Sequence, residues 1–205
     1  MKRNNISNMR AKRLSQEKRR AHLLSCALHI FAQRGLGGAR HAEIAKEAHV
    51  SVPTVFFYFP TRPDLVNAVL DEVTHFYLAM TEQLLQADAP LLQILRDLAA
   101  TYAQSVDTHP DHARVVLDWS TAIREDVWPR YLELQQRVVG MLTEAIAHGQ
   151  DQGTLAANVN AEDVALLLVG TASLIIQMKF AGQPAERVDR FLHTLVQVAL
   201  AGAAE

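Results

Sequence analysis

"AEIAKEAHVSVPTVFFYFP", residues Ala42–Pro60, sets two short helical patterns on either side of "HVS" and ends in four consecutive aromatic residues before its proline. Neither pattern is long enough to stand alone, since isolated helices under about 12 residues are marginal in water. The spacing is that of a helix-turn-helix. Ala45 is a small residue where a second helix would cross the first. Four positions on, His49 falls at the turn, where the backbone needs a positive φ, and histidine is among the residues enriched there. Val55, six further, is a branched apolar residue suited to lock the second helix. Ser51 reads as an N-cap and Pro53 suits a first helical turn, so a helix is expected from about Val52 to Tyr58. Val55, Phe56 and Phe59 are expected to wedge this helix from behind. Thr54, Phe57 and Tyr58 then face outward, and the helix offers its N-terminal end to a DNA major groove.

The charge around this stretch supports a polyanion partner. The whole chain nets −2, but residues 1–63 hold 12 of the 20 basic residues and 3 of the 22 acidic ones, a local +9. The remainder nets −11. A basic head on an acidic body fits nucleic acid or an anionic membrane, and charge alone chooses neither. The N-terminal run lacks the apolar stretch of a signal peptide, and no run is expected to reach the roughly 20 apolar residues of a membrane span. Cys26 is the only cysteine. That excludes a disulfide framework and fits a reducing compartment, so a cytoplasmic protein is expected.

Helical signals continue along all 205 residues. Ser15 can cap a helix to about Arg34, ended by Gly35. A long amphipathic helix starts near Arg62, another follows Pro90, and Pro110 opens a short one. A further helix runs from about Asp126 to Gln150. Asn160 caps the next, and Pro184 opens the last, to about Ala201. The expected fold is all-α with about nine helices. The charge shift divides the chain into an N-terminal head, residues 1–63, with a basic arm, and a helical body, residues 64–205.

Other chemistry finds no support. "GLGG" at Gly35–Gly38 has no preceding strand and no lysine-serine pair after it, so it reads as a helix C-cap and tight link. His109 and His112 flank Pro110 and read as exposed turn histidines with no third ligand, so no metal is expected. No nucleophile elbow or catalytic cysteine setting appears, and neither an enzyme nor a cofactor is expected.

Three stretches carry a family resemblance: "RLSQEKRR" at 13–20, "AEIAKEAHVSVPTVFFYFPTRPDLVNAVL" at 42–70 and "LDWSTAIREDVWPRY" at 117–131. Together with "IFAQRG" they resemble the TetR family of transcriptional regulators, and within it the HapR/LuxR/SmcR branch of quorum-sensing master regulators. The resemblance implies a homodimer that reads a pseudo-palindromic double-stranded operator, with a three-helix DNA-binding domain in the head at residues 1–63 and ligand binding and dimerisation in the body at residues 64–205. It also implies roles for individual residues. Tyr58 and Arg62 match positions that bond phosphates, and Ser51, Val52, Pro53 and Thr54 lie near base edges and backbone. Arg10, Lys12 and Arg13 match an arm that enters an A/T-rich minor groove. Two departures bear on readout. Pro53 stands where the branch has alanine, and Phe57 where it has an asparagine able to hydrogen-bond a base. Phe57 offers only apolar contact, for instance to a thymine methyl.

In the body, Gly170, Ala172 and Ser173, with Leu192, Leu195 and Val198, suit a four-helix dimer interface. Tyr77, Val116, Trp119, Gln135 and Leu142 are candidates to line a pocket for a small hydrophobic ligand. A generic repressor released from DNA by a small molecule is the alternative within the family. A basic-headed helical protein on RNA or an anionic membrane is the alternative outside it, though the head lacks a basic amphipathic helix with an apolar face.

Overall fold

The computed structural model describes residues 15–123, 125–155 and 159–200. Among them lie nine α-helices and no strand: α1 Gln16–Gly38, α2 His41–Glu47, α3 Val52–Tyr58, α4 Arg62–Leu85, α5 Leu91–Thr108, α6 Pro110–Thr121, α7 Trp128–Asp151, α8 Ala161–Phe180 and α9 Ala185–Leu200. Local chemistry explains most of the starts. The Ser15 hydroxyl accepts the Lys18 N–H at 3.2 Å, and the Asn160 side chain accepts the Asp163 N–H at 3.0 Å. Thr61 and Asp64 exchange bonds across the first turn of α4, each side chain accepting the other's backbone N–H at 3.2 and 3.0 Å. Helix α7 begins at Trp128, two residues later than the sequence suggests, and Asp126 does not cap it.

One apolar core joins the first helix to the middle of the chain. Leu23, Ala27, Phe31, Ile44, Val55, Phe59, Leu65, Val69, Val73, Ala113 and Trp119 are all buried in it. A second cluster fills the space between α5, α7 and α8, and a third ties α9 to α5 and α8. Helix α6 is the crosspiece, packing on α1 and also meeting α4, α5, α7 and α8.

Gly35 breaks α1 with φ 74° and ψ 169°, a conformation nearly confined to glycine. The chain then turns under α6, where the Leu36 N–H donates to Asp118 Oδ2 at 2.8 Å. "GLGG" is therefore a link pinned to the body.

Three expectations change. Helix α8 is long and apolar enough to cross a membrane by length and composition, contrary to the reading that no run approaches a span. It packs among α5, α6, α7 and α9 on one side and carries Glu162, Asp163 and Lys179 near its ends. His112 is not an exposed turn residue, because α6 begins at Pro110 and seats its ring 4.5 Å from that of Phe76. Among the described residues no group of three His, Cys, Asp or Glu side chains is arranged to hold a metal. Of the residues assigned to a dimer interface, Leu192 and Leu195 are buried within the chain, and Ala172 and Ser173 face an internal cavity. The Val198 side chain lies outside the described residues.

Candidate functional site

The helix-turn-helix is assembled by a few contacts. Ala45 is buried at the crossing, and the Val50 N–H donates to the Ala45 carbonyl at 2.9 Å across the turn. His49 takes φ 53°, the one positive φ outside glycine among the described residues. Val55 and Phe59 are buried beneath α3, and the Arg20 guanidinium sits 5.3 Å from the Phe59 ring centre.

His41 is a member that sequence reasoning missed. It is buried at the start of α2, and its Nε2–H donates to the Phe59 carbonyl at 2.9 Å. Its ring stacks on Phe56 with centroids 4.1 Å apart and planes 3° from parallel. One imidazole thus ties the beginning of α2 to the end of α3. Phe56 is half-exposed and lies on this ring, so it does not wedge into the core as expected. No periodicity signals such a clasp, because both residues sit at helix ends.

The outer surface of α3 is apolar and uncovered. Ser51, Val52, Pro53 and Phe57 are exposed, with Phe57 at 69%, while Thr54 and Tyr58 are half-buried. Ser51 stands at the N-cap position but makes no side-chain bond to a backbone N–H; its hydroxyl pairs with that of Thr54 at 2.8 Å. Phe57 and Tyr58 meet edge to face with centroids 5.1 Å apart. Arg62 opens α4 with an exposed side chain that donates to the Leu36 carbonyl, joining α4 to the link after α1. Arg10, Lys12 and Arg13 lie outside the described residues.

A second site lies in the body. Tyr77 from α4, Tyr102 from α5, Val116 from α6, Tyr131, Gln135 and Leu142 from α7, and Ser173 from α8 line a mostly apolar cavity of about 110 Å³. Four of the five expected lining residues are there, and Trp119 is not. Its side chain is fully buried in the core, and its indole N–H donates to the Val127 carbonyl at 2.8 Å. Tyr102, Tyr131 and Ser173 were not anticipated. Burial is the first cause that pushes the phenols of Tyr77, Tyr102 and Tyr131 above the usual tyrosine range, so all three are protonated at neutral pH. Helix α6 touches both sites, with Val116 in the cavity wall and Asp118 holding Leu36 at the end of α1.

Known proteins resemble both the helix-turn-helix head and the whole helical fold. The family model described as bacterial regulatory proteins, tetR family, matches residues 23–69. The HTH-type transcriptional regulator LuxR of Vibrio harveyi is 35% identical over 142 residues, 67% of this chain and 69% of that one. The chain belongs to the TetR family. Its similarity to LuxR supports the HapR/LuxR/SmcR branch, and like its relatives this TetR-family protein is a transcriptional regulator and not an enzyme. Two solved structures extend the likeness to the whole fold. A TetR-like regulator from Rhodococcus sp. RHA1 superposes with a TM-score of 0.76 at 18% identity, covering 93% of this chain and 100% of its own. The regulator FadR from Bacillus subtilis, solved in complex with stearoyl-CoA, superposes at 0.71 with 15% identity over 89% and 98%.

Proposed function

We propose that this TetR-family regulator is a cytoplasmic homodimer that reads a pseudo-palindromic operator and acts as a quorum-sensing-type master regulator with a small hydrophobic effector. The head is residues 1–63 and the body residues 64–205. The observation that carries the DNA reading is the exposed face of α3, braced from beneath by Val55 and Phe59. An exposed cluster of Val52, Phe56 and Phe57 on a seven-residue helix is costly in water and suits a groove lined with base edges and thymine methyls. Ser51, Val52, Pro53, Thr54 and Phe57 face the groove. Tyr58 and Arg62 bond phosphates, Arg62 with the N–H groups that Leu36 leaves free, and Arg10, Lys12 and Arg13 extend into the adjacent minor groove.

Regulators of this family bind DNA and commonly act as dimers with small-molecule ligands. The dimer reading is supported by α8, which exposes Leu166, Leu167 and Leu174 along one face. Gly170 lies on that face between Leu167 and Leu174, with nothing inside the chain within 4 Å of where its Cβ would stand. A small residue flanked by leucines on an open face admits the helix of a second copy at close range. The effector reading is supported by the cavity, with Tyr77, Val116, Gln135 and Leu142 as contacts. The same cavity favours a second reading, a repressor released from DNA when a small molecule fills it. In either case α6 is the route, since a ligand displacing Val116 also moves Asp118 and the end of α1.

Selection of bound genomic fragments, followed by gel-shift titration against duplex DNA, RNA and anionic vesicles, tests the function. The expected result is a dimer protecting a two-fold operator, with duplex DNA preferred. A monomer binding single half-sites at full affinity, or a preference for RNA or vesicles, refutes it.

A further inference from the structure

We propose that the cavity selects an uncharged molecule about one ring in size, whose hydrogen-bond acceptor is engaged by the Tyr77 hydroxyl. This rests on the reading of the cavity as the effector site and names the ligand chemistry.

The first observation is an unmet donor. Tyr77 is 4% exposed, and its buried hydroxyl makes no hydrogen bond of ordinary length, with the Ser105 and Tyr102 side chains lying near it as long-range neighbours only. Nearly all buried polar groups find a partner, so an orphan hydroxyl in a cavity wall marks a place where something else supplies one. The Tyr77 ring is held from two sides, by Phe76 with centroids 5.1 Å apart and by Tyr102 at 5.4 Å. The hydroxyl is therefore preorganised, and a ligand acceptor gains its bond with little ordering cost.

The second observation is the absence of charge. Among the described residues, none that lines the cavity is Asp, Glu, Lys, Arg or His. Its polar groups are three phenols, one amide and two hydroxyls. The phenols are protonated, so they donate but offer no anion to a cationic ligand. An anionic ligand would find donors and no cation. Either charge would enter a low-dielectric site unpaired, which disfavours free acids, amines and coenzyme A thioesters alike.

The third is size. A volume of about 110 Å³ is of the same order as the ~150 Å³ of an apolar cavity known to hold one benzene ring, which sets the scale at one ring with a small substituent. Ketones, esters, ethers and nitro or sulfonyl compounds on one ring meet all three conditions. Long acyl chains and multi-ring skeletons do not.

The test is direct binding to the full-length protein without DNA, by calorimetry, using acetophenone, ethylbenzene and benzoate at pH 7.5. Acetophenone and ethylbenzene share a shape and differ in the acceptor, while benzoate adds a charge. Acetophenone is expected to bind and benzoate to bind at least tenfold more weakly. Tyr77→Phe is expected to weaken acetophenone roughly tenfold, the scale of one buried hydrogen bond, and to leave ethylbenzene within about twofold. An unchanged melting temperature shows that the variant folds, and the benzoate comparison on the unaltered protein needs no variant. Benzoate binding as tightly as acetophenone overturns the proposal. So does an equal loss for both neutral probes in Tyr77→Phe, or no binding of either. A gel shift run separately keeps the two readings distinguishable. Acetophenone that binds with this signature yet leaves operator affinity unchanged removes the effector role and leaves the assignment of the cavity standing.

Discussion

Replacing Gly35 by alanine probes the joint between head and body. Gly35 holds φ 74° and ψ 169°, a region that costs a residue with a Cβ about 1–3 kcal/mol. The added Cβ would also stand 3.3 Å from Asp118 Oδ2, closer than comfortable contact. That oxygen accepts the Leu36 N–H at 2.8 Å, and a bond to a carboxylate is worth about 1.5–3 kcal/mol, part of which is lost if Asp118 shifts. Against these costs, alanine restricts the unfolded chain and returns about 0.4–1 kcal/mol. The net expectation for Gly35→Ala is a loss of about 2–3 kcal/mol. Gly37→Ala is the internal control, because Gly37 has nothing within 4 Å of its Cβ position and no positive φ. Only the entropy gain applies there, so it should be neutral or slightly stabilising. Urea unfolding followed by circular dichroism, at one fixed protomer concentration, measures both. The double variant with Asp118→Ala should cost less than the sum of its parts, since both changes act on one contact. Equal stability of Gly35→Ala and Gly37→Ala within about 0.5 kcal/mol would refute the reasoning about this joint.

Phe57→Asn should leave stability within about 0.5 kcal/mol, because the side chain is exposed, while moving operator preference toward the branch-type site by about 1–3 kcal/mol in competition gel shifts. Leu174→Glu, on the open face of α8, should yield a folded monomer by light scattering and weaken operator binding with it. Trp119→Phe removes the indole N–H bond to the Val127 carbonyl, which keeps its bond from the Tyr131 N–H, and leaves a gap where the second ring packed, so urea unfolding should register a loss of about 1–3 kcal/mol. The His112 imidazole is held below the usual histidine range, first by burial, then by His109, against opposing pulls from Glu72 and Asp111. Below about pH 6.5 the unfolded chain takes a proton here more readily than the fold does, so this part of the stability is present above that pH and is lost as pH falls. His112→Phe should flatten that acid-side decline in the urea midpoint between pH 7 and 5.

Much of the fold was legible because its signals are local. Ser15 and Asn160 cap their helices within three residues of sequence. His49 takes its positive φ where the spacing from Ala45 places the turn. These features depend on a residue and its immediate neighbours, which is information a sequence contains outright. The all-α class and the order of the helices follow from the same signals.

What the tertiary structure decided is which side chains meet across helices. Val116 and Trp119 are three apart on α6, about 60° around the helix, so periodicity puts both on one face. The packing of α6 among its neighbours turns Val116 to the cavity and seals Trp119 in the core. His41 and Phe56 lie 15 positions apart, yet the crossing of two seven-residue helices stacks their rings. Asp118 reaches Leu36 across 82 positions, and Arg62 closes the same link from a third helix. Helical periodicity fixes a direction around each axis, but a contact also needs the distance and angle between axes. Those emerge only when all the faces are buried together, and there the sequence stops being readable one segment at a time.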